Sequence, residues 1–215
     1  MPAPAADAPE IPRSPAAPPP SEPAGESLRA VERVERFTDD DLHALCEATH
    51  AAIIEGGGFG WVNPPGHRAL ESYYRGVLLV PERSLFLARL NGTVVGAAQL
   101  VRPPRNNEAQ AFAATLMHSF VAPYARGHGL ARLLTGHVEE SARALGYQVL
   151  NLDVRETQAV ALRLYESMGF VRWGVHPAYA RVGGKTVRGF YYYKLLQAPA
   201  RRRAEAGDGP EEAGA

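Results

Sequence analysis

At 215 residues and 46% hydrophobic content the chain can bury one sizeable core, and a single folded domain is the default for that length. Lysine plus arginine equals aspartate plus glutamate at 23 each, so there is no overall basic field to gather nucleic acid or an anionic membrane, and the expected partner is a small molecule. The single cysteine, Cys46, excludes an intramolecular disulfide and suits a reducing, cytoplasmic setting.

No apolar run approaches the roughly 20 residues that span a bilayer, and the N-terminus lacks a signal peptide's charged start and apolar run. Residues 1–27 carry nine prolines among alanine, glutamate and serine and are expected to be a disordered tail, with Pro18-Pro-Pro a weak candidate for a proline-reading groove. Leu28 to Arg36 alternates as an edge strand. Thr38 with Asp39, Asp40 and Asp41 then provides an N-cap and first-turn acids for a helix whose apolar face is Leu42, Leu45, Cys46, Thr49, Ala52 and Ile53, ending at Gly56. Cys46 reads as packing on that face, although His43 and His50 flank it. An irregular Gly57–Gly66 segment bearing Phe59 and Trp61 precedes a short helix with Leu70, Tyr73, Tyr74 and Val77. Ser84–Leu90 and Thr93–Leu100 flank Asn91-Gly92, the strongest hairpin signal in the chain. After the Pro103-Pro-Arg-Asn-Asn loop, Ala109 to Val121 reads as one long strand, stopped by Pro123.

From Leu130 the period changes: Leu130, Leu133, Leu134, Val138, Ala142 and Leu145 share one face of a helix from Gly129 to about Leu145. Between strand and helix lies Arg126-Gly127-His128-Gly129. Its glycines can adopt dihedrals closed to other residues, and the first N–H groups of the following helix point outward along the positive end of the macrodipole. Arg126 and Arg132 flank the turn, so a diphosphate is the anion that suits it best. A Rossmann reading needs a glycine where Arg132 stands, and the G-K-[ST] of a P-loop is missing. Val149 to Val154 is a buried strand, Ala161 to Gly169 a helix closed by glycine, and Phe170–Ala180 with Thr186–Leu196 a final hairpin across Gly183-Gly184. Residues 197–215 form a second expected tail, in which Arg201-Arg-Arg is solubilising.

Arg126-x-x-Gly129-x-Ala131 resembles the acyl-CoA pyrophosphate signature [QR]-x-x-G-x-[GA] of the GCN5-related N-acetyltransferase (GNAT) superfamily. A second signature, N-x-x-A-x-x-L-Y-x-x-x-G-F, is matched from Ala161 through Leu164-Tyr165 to Gly169-Phe170, with Gln158 where asparagine is usual. The resemblance covers roughly residues 28–196, which are taken as one N-acetyltransferase domain. It implies an α+β, three-layer fold: a mixed, mostly antiparallel sheet with helices on both faces, in the order β-α-α-β-β-β-α-β-α-β-β. It implies acetyl-CoA as the acyl donor, held by Ser119, Phe120, Val121, Arg126, Gly127, His128, Gly129, Leu130, Ala131, Arg132 and Gln158. Backbone groups of Ser119, Phe120 and Val121 would face the pantetheine arm and thioester oxygen, because in the superfamily this strand splays from the next.

The implied reaction, attack of an amine on an acetyl thioester, needs a neutral amine, oxyanion stabilisation and a proton for the leaving thiolate. Tyr165 matches the family tyrosine near the CoA sulfur. Asp153 matches by spacing a glutamate base of the ribosomal-protein alanine acetyltransferases, one methylene shorter. The family's other base position falls near Thr115, which cannot serve. Glu108 lies near it, about as far before Pro123 as an acidic residue of the tabtoxin-resistance-type acetyltransferases, which the chain also resembles in Trp173-Gly-Val-His-Pro-x-Tyr-Ala. His118 is read as a core histidine, with action through water the alternative. The resemblance makes Phe59 and Trp61 substrate-pocket candidates, with anchoring of their loop as the alternative, and His176 and Tyr179 complete the acceptor set. No histidines have metal-ligand spacing, so no metal is expected. Base strength tracks the acceptor: a lysine amine near pKa 10.4 is almost wholly charged at pH 7, whereas an α-amine near about 7.8 is more than one-tenth neutral. A small amine or amino-acid-like acceptor is therefore expected first, a peptide α-amine second and internal lysine third. A non-catalytic acetyl-CoA-binding protein is the alternative class, and a monomer or homodimer is expected.

Overall fold

A computed structural model describes residues 27–57 and 60–196. The elements run β1 (Arg29–Val34), α1 (Asp39–Ile54), α2 (His67–Leu79), β2 (Arg83–Leu90), β3 (Thr93–Val101), β4 (Ala113–Val121), α3 (Leu130–Ala144), β5 (Val149–Arg155), α4 (Ala159–Ser167), β6 (Val171–Val182) and β7 (Lys185–Leu195). This is the expected order. Local chemistry explains several boundaries. The Thr38 hydroxyl accepts from the Asp41 N–H at 3.1 Å, capping α1. Asn91 and Gly92 both take positive φ, 51° and 86°, as a tight type I′ hairpin requires. β4 is shorter than its apolar run: the loop before it closes in a 3-10 turn over Glu108–Gln110, where the Asn107 side-chain amide donates to Gln110 Oε1 at 3.1 Å.

Seven strands form one sheet in the order β1-β2-β3-β4-β5-β7-β6. All neighbours are antiparallel except β4 and β5. Alternation along the strands divides the core. Leu85, Leu87, Val94 and Ala97 pack with Leu42, Leu45, Cys46 and Ile53 of α1 and with Leu70, Tyr74 and Val77 of α2. Phe86, Ala88, Val95 and Ala98 face the opposite way, towards Leu130, Leu134, Val138 and Ala142 of α3 and Tyr165 of α4. Each face thus carries two helices. Thr49 and Tyr74 share a 2.6 Å hydroxyl contact that joins α1 to α2. Cys46 is fully buried and its thiol is pushed up to about 11, chiefly by desolvation, which leaves it a packing residue without nucleophilic character.

Two irregularities in the centre of the sheet make room for a site. β4 and β5 pair only over Ala113–Thr115 and Val149–Asn151 and then diverge, opening a wedge between them. On its other side β4 bulges against β3 between the pairs Ala97–Phe120 and Gln99–Met117, and His118 at the bulge takes φ +49°.

Candidate active site

The wedge between β4 and β5 holds two adjoining clefts. The first, about 640 Å³, is lined by Ser119, Phe120 and Val121 of β4, by Arg126, Gly127 and Gly129–Arg132, and by Gln158, Ala161, Leu164 and Tyr165 at α4. Gly127 and Gly129 take φ +84° and +73°, so both turn positions need the left-handed conformation that glycine adopts freely. Gly129 is the N-cap of α3, and the helical ladder begins with Leu133 N–H to Gly129 O at 3.1 Å, so the N–H groups of residues 130–132 precede it and point out of the helix end. Arg29 reaches from β1 to the His128 carbonyl at 3.1 Å and steadies the turn from behind. The two flanking cations are not idle: Arg126 pairs with Glu55 and Arg132 donates to Ser167 Oγ at 2.6 Å. Gln158 donates to the Gly56 carbonyl at 2.5 Å, tying the start of α4 to the end of α1 across the mouth. Outward N–H groups, positive φ and two guanidiniums make this wall suited to a diphosphate.

The second cleft, about 470 Å³, lies between β4, β5 and β6. Met117, His118 and Ser119 come from β4, Asp153 and Arg155 from β5, Tyr165 from α4, Tyr179 and Arg181 from β6, and Gly60 and Val62 from the loop before α2. Ser119, Gln158, Ala161 and Tyr165 line both clefts, so the two spaces meet at these four residues. Tyr165 is buried, its ring edge-on to Phe170 at 5.7 Å. Burial pushes its phenol up, a hydrogen bond with Ser119 opposes that, and the Asp153 charge adds to it. The Tyr165 hydroxyl therefore keeps its proton throughout the neutral range. Tyr179 donates its hydroxyl to Asp153 Oδ2, and burial followed by that carboxylate raises the Tyr179 phenol far above its usual range. His118 is held well towards its neutral form by burial and by the nearby Arg83 guanidinium, with Asp153 opposing.

The profile of the Acetyltransferase (GNAT) family matches residues 40–170, well over half of the chain. The chain belongs to the GNAT acetyltransferase family. An uncharacterised N-acetyltransferase from the hisH-hisA intergenic region of Azospirillum brasilense is 63% identical over 128 residues, covering 60% of this chain and 76% of that protein. The fold is that of solved GNAT structures. An N-acetyltransferase from Staphylococcus aureus superposes with TM-score 0.69 at 19% identity, over 80% of this chain and 100% of that one. YncA of Salmonella typhimurium, a putative acetyltransferase solved with acetyl-CoA, gives 0.64 at 20% identity over 82% and 98%. The chain is accordingly an N-acetyltransferase, an acyltransferase of GNAT architecture.

Within that GNAT frame the structure separates the residues singled out from sequence. Ser119, Gln158, Tyr165, Asp153 and Tyr179 come together around the junction. Glu108 does not: it sits exposed on the 3-10 turn ahead of β4, and a strand rising about 3.3 Å per residue separates it from Ser119 by far more than a side chain can reach. Trp61 lines neither cleft; it packs edge-on against Tyr73 at 5.0 Å in the α1–α2 core and anchors its loop, whose neighbours Gly60 and Val62 form the cleft wall. His176 is exposed on β6, outside both linings, with Nδ1 accepting from the Ala178 N–H at 3.1 Å. His128 turns Nδ1 to the carbonyls of Ala125 and Arg126, at 3.3 and 3.0 Å, and shapes the turn from within. Phe59 lies outside the described residues. Sequence reasoning passed over Arg155, Arg181, Tyr73 and Gly189. Arg155 ends a buried strand and Arg181 precedes a hairpin turn, positions with no local sign of a pocket. Gly189 has a spatial role: it lies beneath the Tyr179 ring.

Proposed function

We propose that the protein transfers an acetyl group from acetyl-CoA to the primary amine of a small, amino-acid-like metabolite. The observation that carries this reading is the junction: a diphosphate-suited cleft and a charged cleft share Ser119, Gln158, Ala161 and Tyr165. Arg126, Arg132 and the N-terminal N–H groups of α3 hold the diphosphate end of the donor, which contributes the activated acetyl thioester. Ser119, Phe120 and Val121 lie along the donor's path to the junction. Tyr165 keeps a proton at the junction, aimed by its bond with Ser119, and supplies it to sulfur as the carbon–sulfur bond breaks, while the nitrogen forming the carbon–nitrogen bond gives up its own proton to the Asp153 carboxylate and through it to solvent.

Among the described residues the acceptor cleft is lined by one carboxylate, Asp153, and two guanidiniums, Arg155 and Arg181. That set complements a molecule carrying both an ammonium and a carboxylate: Asp153, oriented by Tyr179, attracts the ammonium end and the arginines the other. An α-amine near pKa 7.8 is neutral in more than about one molecule in ten at pH 7, so it needs no strong base, and among the described residues no glutamate stands in the cleft lining to act as one. Incubation with acetyl-CoA and a metabolite extract, followed by mass spectrometry, tests the reading. Acetylation of small amino acids or their derivatives is expected. Label confined to protein N-termini or internal lysines, or acetyl-CoA bound tightly with no product, would overturn it.

A further inference from the structure

A chain of hydrogen bonds crosses three neighbouring strands and ends in the acceptor cleft. Arg83 on β2 donates to Gln99 Oε1 on β3 at 2.7 Å; Gln99 Nε2 donates to the Tyr73 hydroxyl on α2 at 3.0 Å; and Tyr73 meets His118 Nδ1 on β4 at 3.1 Å. Its polarity is set by chemistry at the far end. A guanidinium can only donate, so the Gln99 oxygen must face Arg83 and its amide nitrogen must face Tyr73. An amide nitrogen likewise only donates, so the phenol oxygen accepts from Gln99, and of the two polar atoms bonded to Tyr73 among the described residues only His118 Nδ1 can accept the phenol's one hydrogen. Nδ1 is thereby an acceptor and carries no proton, which places the proton of the neutral ring on Nε2. Gln99 is 1% exposed, so water does not compete for it. The bulge and the φ of +49° at His118, an uncommon conformation for histidine, aim the ring from this chain into the cleft that it lines.

We infer that Arg83, Gln99 and Tyr73 lock His118 in its Nε2–H tautomer, making it a hydrogen-bond donor to a carboxylate oxygen of the acceptor and unfit to be the base that takes the amine's proton. His118 then acts with Arg155 and Arg181 in reading an anionic acceptor; Arg83, Gln99 and Tyr73 are positioning residues. The donor role rests on this cleft being the acceptor site, whereas the tautomer does not.

Long-range proton–nitrogen NMR on protein labelled with nitrogen-15 histidine reads the tautomer directly, with the His118 signals assigned from a His118→Asn sample. Wild type should show Nε2 protonated and Nδ1 bare, in a ratio of roughly ten to one or more, as one net hydrogen bond provides. Gln99→Glu is nearly isosteric but accepts where the amide donated. It should reverse the chain, so that Tyr73 donates towards residue 99 and Nδ1 takes up a proton. Tyr73→Phe should leave both tautomers populated, and melting curves establish that each variant is folded. N-acetylglycine, the smallest acetylated amino acid, should shift the Nε2 signal of wild type and leave that of Gln99→Glu in place. A protonated Nδ1 in wild type, or an unchanged tautomer in both folded variants, would overturn the lock. A correct tautomer whose Nε2 signal ignores millimolar N-acetylglycine would overturn the donor role alone, and failure of the metabolite screen would leave the tautomer result standing.

Discussion

The ring of Tyr179 lies over the α-carbon of Gly189, so that a methyl group at 189 would overlap Tyr179 Cγ and sit 2.7 Å from its Cβ. β6 makes this possible by bulging between His176 and Ala180, which brings Tyr179 across its partner strand and its hydroxyl onto Asp153. The clash involves the root of the side chain, which cannot swing away as a flexible tip would. Gly189→Ala should therefore displace Tyr179 from Asp153 and raise the acceptor KM by about tenfold, a cost in the range of core overpacking. Acetyl-CoA affinity, measured by calorimetry, should stay within about twofold. An unchanged KM would show that Tyr179 plays no part in holding the acceptor.

Gly129→Glu sets a side chain at φ +73° and a negative charge at the N-terminus of α3. Both effects oppose a diphosphate, the first by straining the turn and the second by repulsion. Acetyl-CoA binding should weaken by at least about a hundredfold, equivalent to roughly 3 kcal/mol. Calorimetry that shows parental affinity would place the donor elsewhere.

Glu55 is the counter-ion of Arg126 and stands in the same cleft wall. A diphosphate arriving there must share Arg126 with a carboxylate. Glu55→Gln should release the guanidinium and tighten acetyl-CoA binding by about two- to fivefold at low salt, a half-exposed pair being worth no more than about 1 kcal/mol. The gain should shrink as salt is raised. Weaker binding would mean that Glu55 positions Arg126 productively.

Tyr165→Phe removes the hydroxyl and keeps the ring that packs against Phe170. Turnover should fall by about a hundredfold or more with acetyl-CoA affinity nearly unchanged, since the proton matters only as the thiolate forms. Because the phenol of Tyr165 is raised above its ordinary value, ionisation of Tyr165 cannot produce an alkaline decline in rate below about pH 10. Equal losses in turnover and affinity would reduce Tyr165 to a structural role.

His118 has its pKa lowered on folding, so the unfolded chain takes up this proton first as pH falls. Its contribution to stability is complete above the unfolded value of about 6.5 and is lost as pH drops from there towards the lowered folded value. The melting temperature of wild type should therefore decline over that window. His118→Asn tolerates the positive φ and should flatten the decline, whatever it does to the absolute melting temperature. Parallel slopes would show that His118 titrates alike in both states.

The sequence by itself determined what depends on neighbours along the chain. The 3.6-residue spacing of Leu42, Leu45, Cys46, Thr49 and Ile53 dictates which face of α1 is buried, Asn91-Gly92 dictates a hairpin, and Arg126-Gly-His-Gly before an amphipathic helix dictates an anion-suited turn. These are short-range relations, and their motifs also carried the family and the order of elements along the chain. Glu108 shows the limit: its distance from Pro123 in sequence looked suitable, but a 3-10 turn and a full strand place it away from both clefts. Trp61 and His176 show another, because an aromatic or imidazole in a loop or edge strand gives no sign of whether it faces a pocket, a core or solvent. Only the tertiary structure decided that Tyr179 needs Gly189, that Asp153 is held by Tyr179, and that Arg83 reaches His118 through Gln99 and Tyr73. Those relations join residues 10 to 45 positions apart in sequence, on strands and helices whose register is set by burial of a whole sheet face, and no local pattern encodes the distance between them.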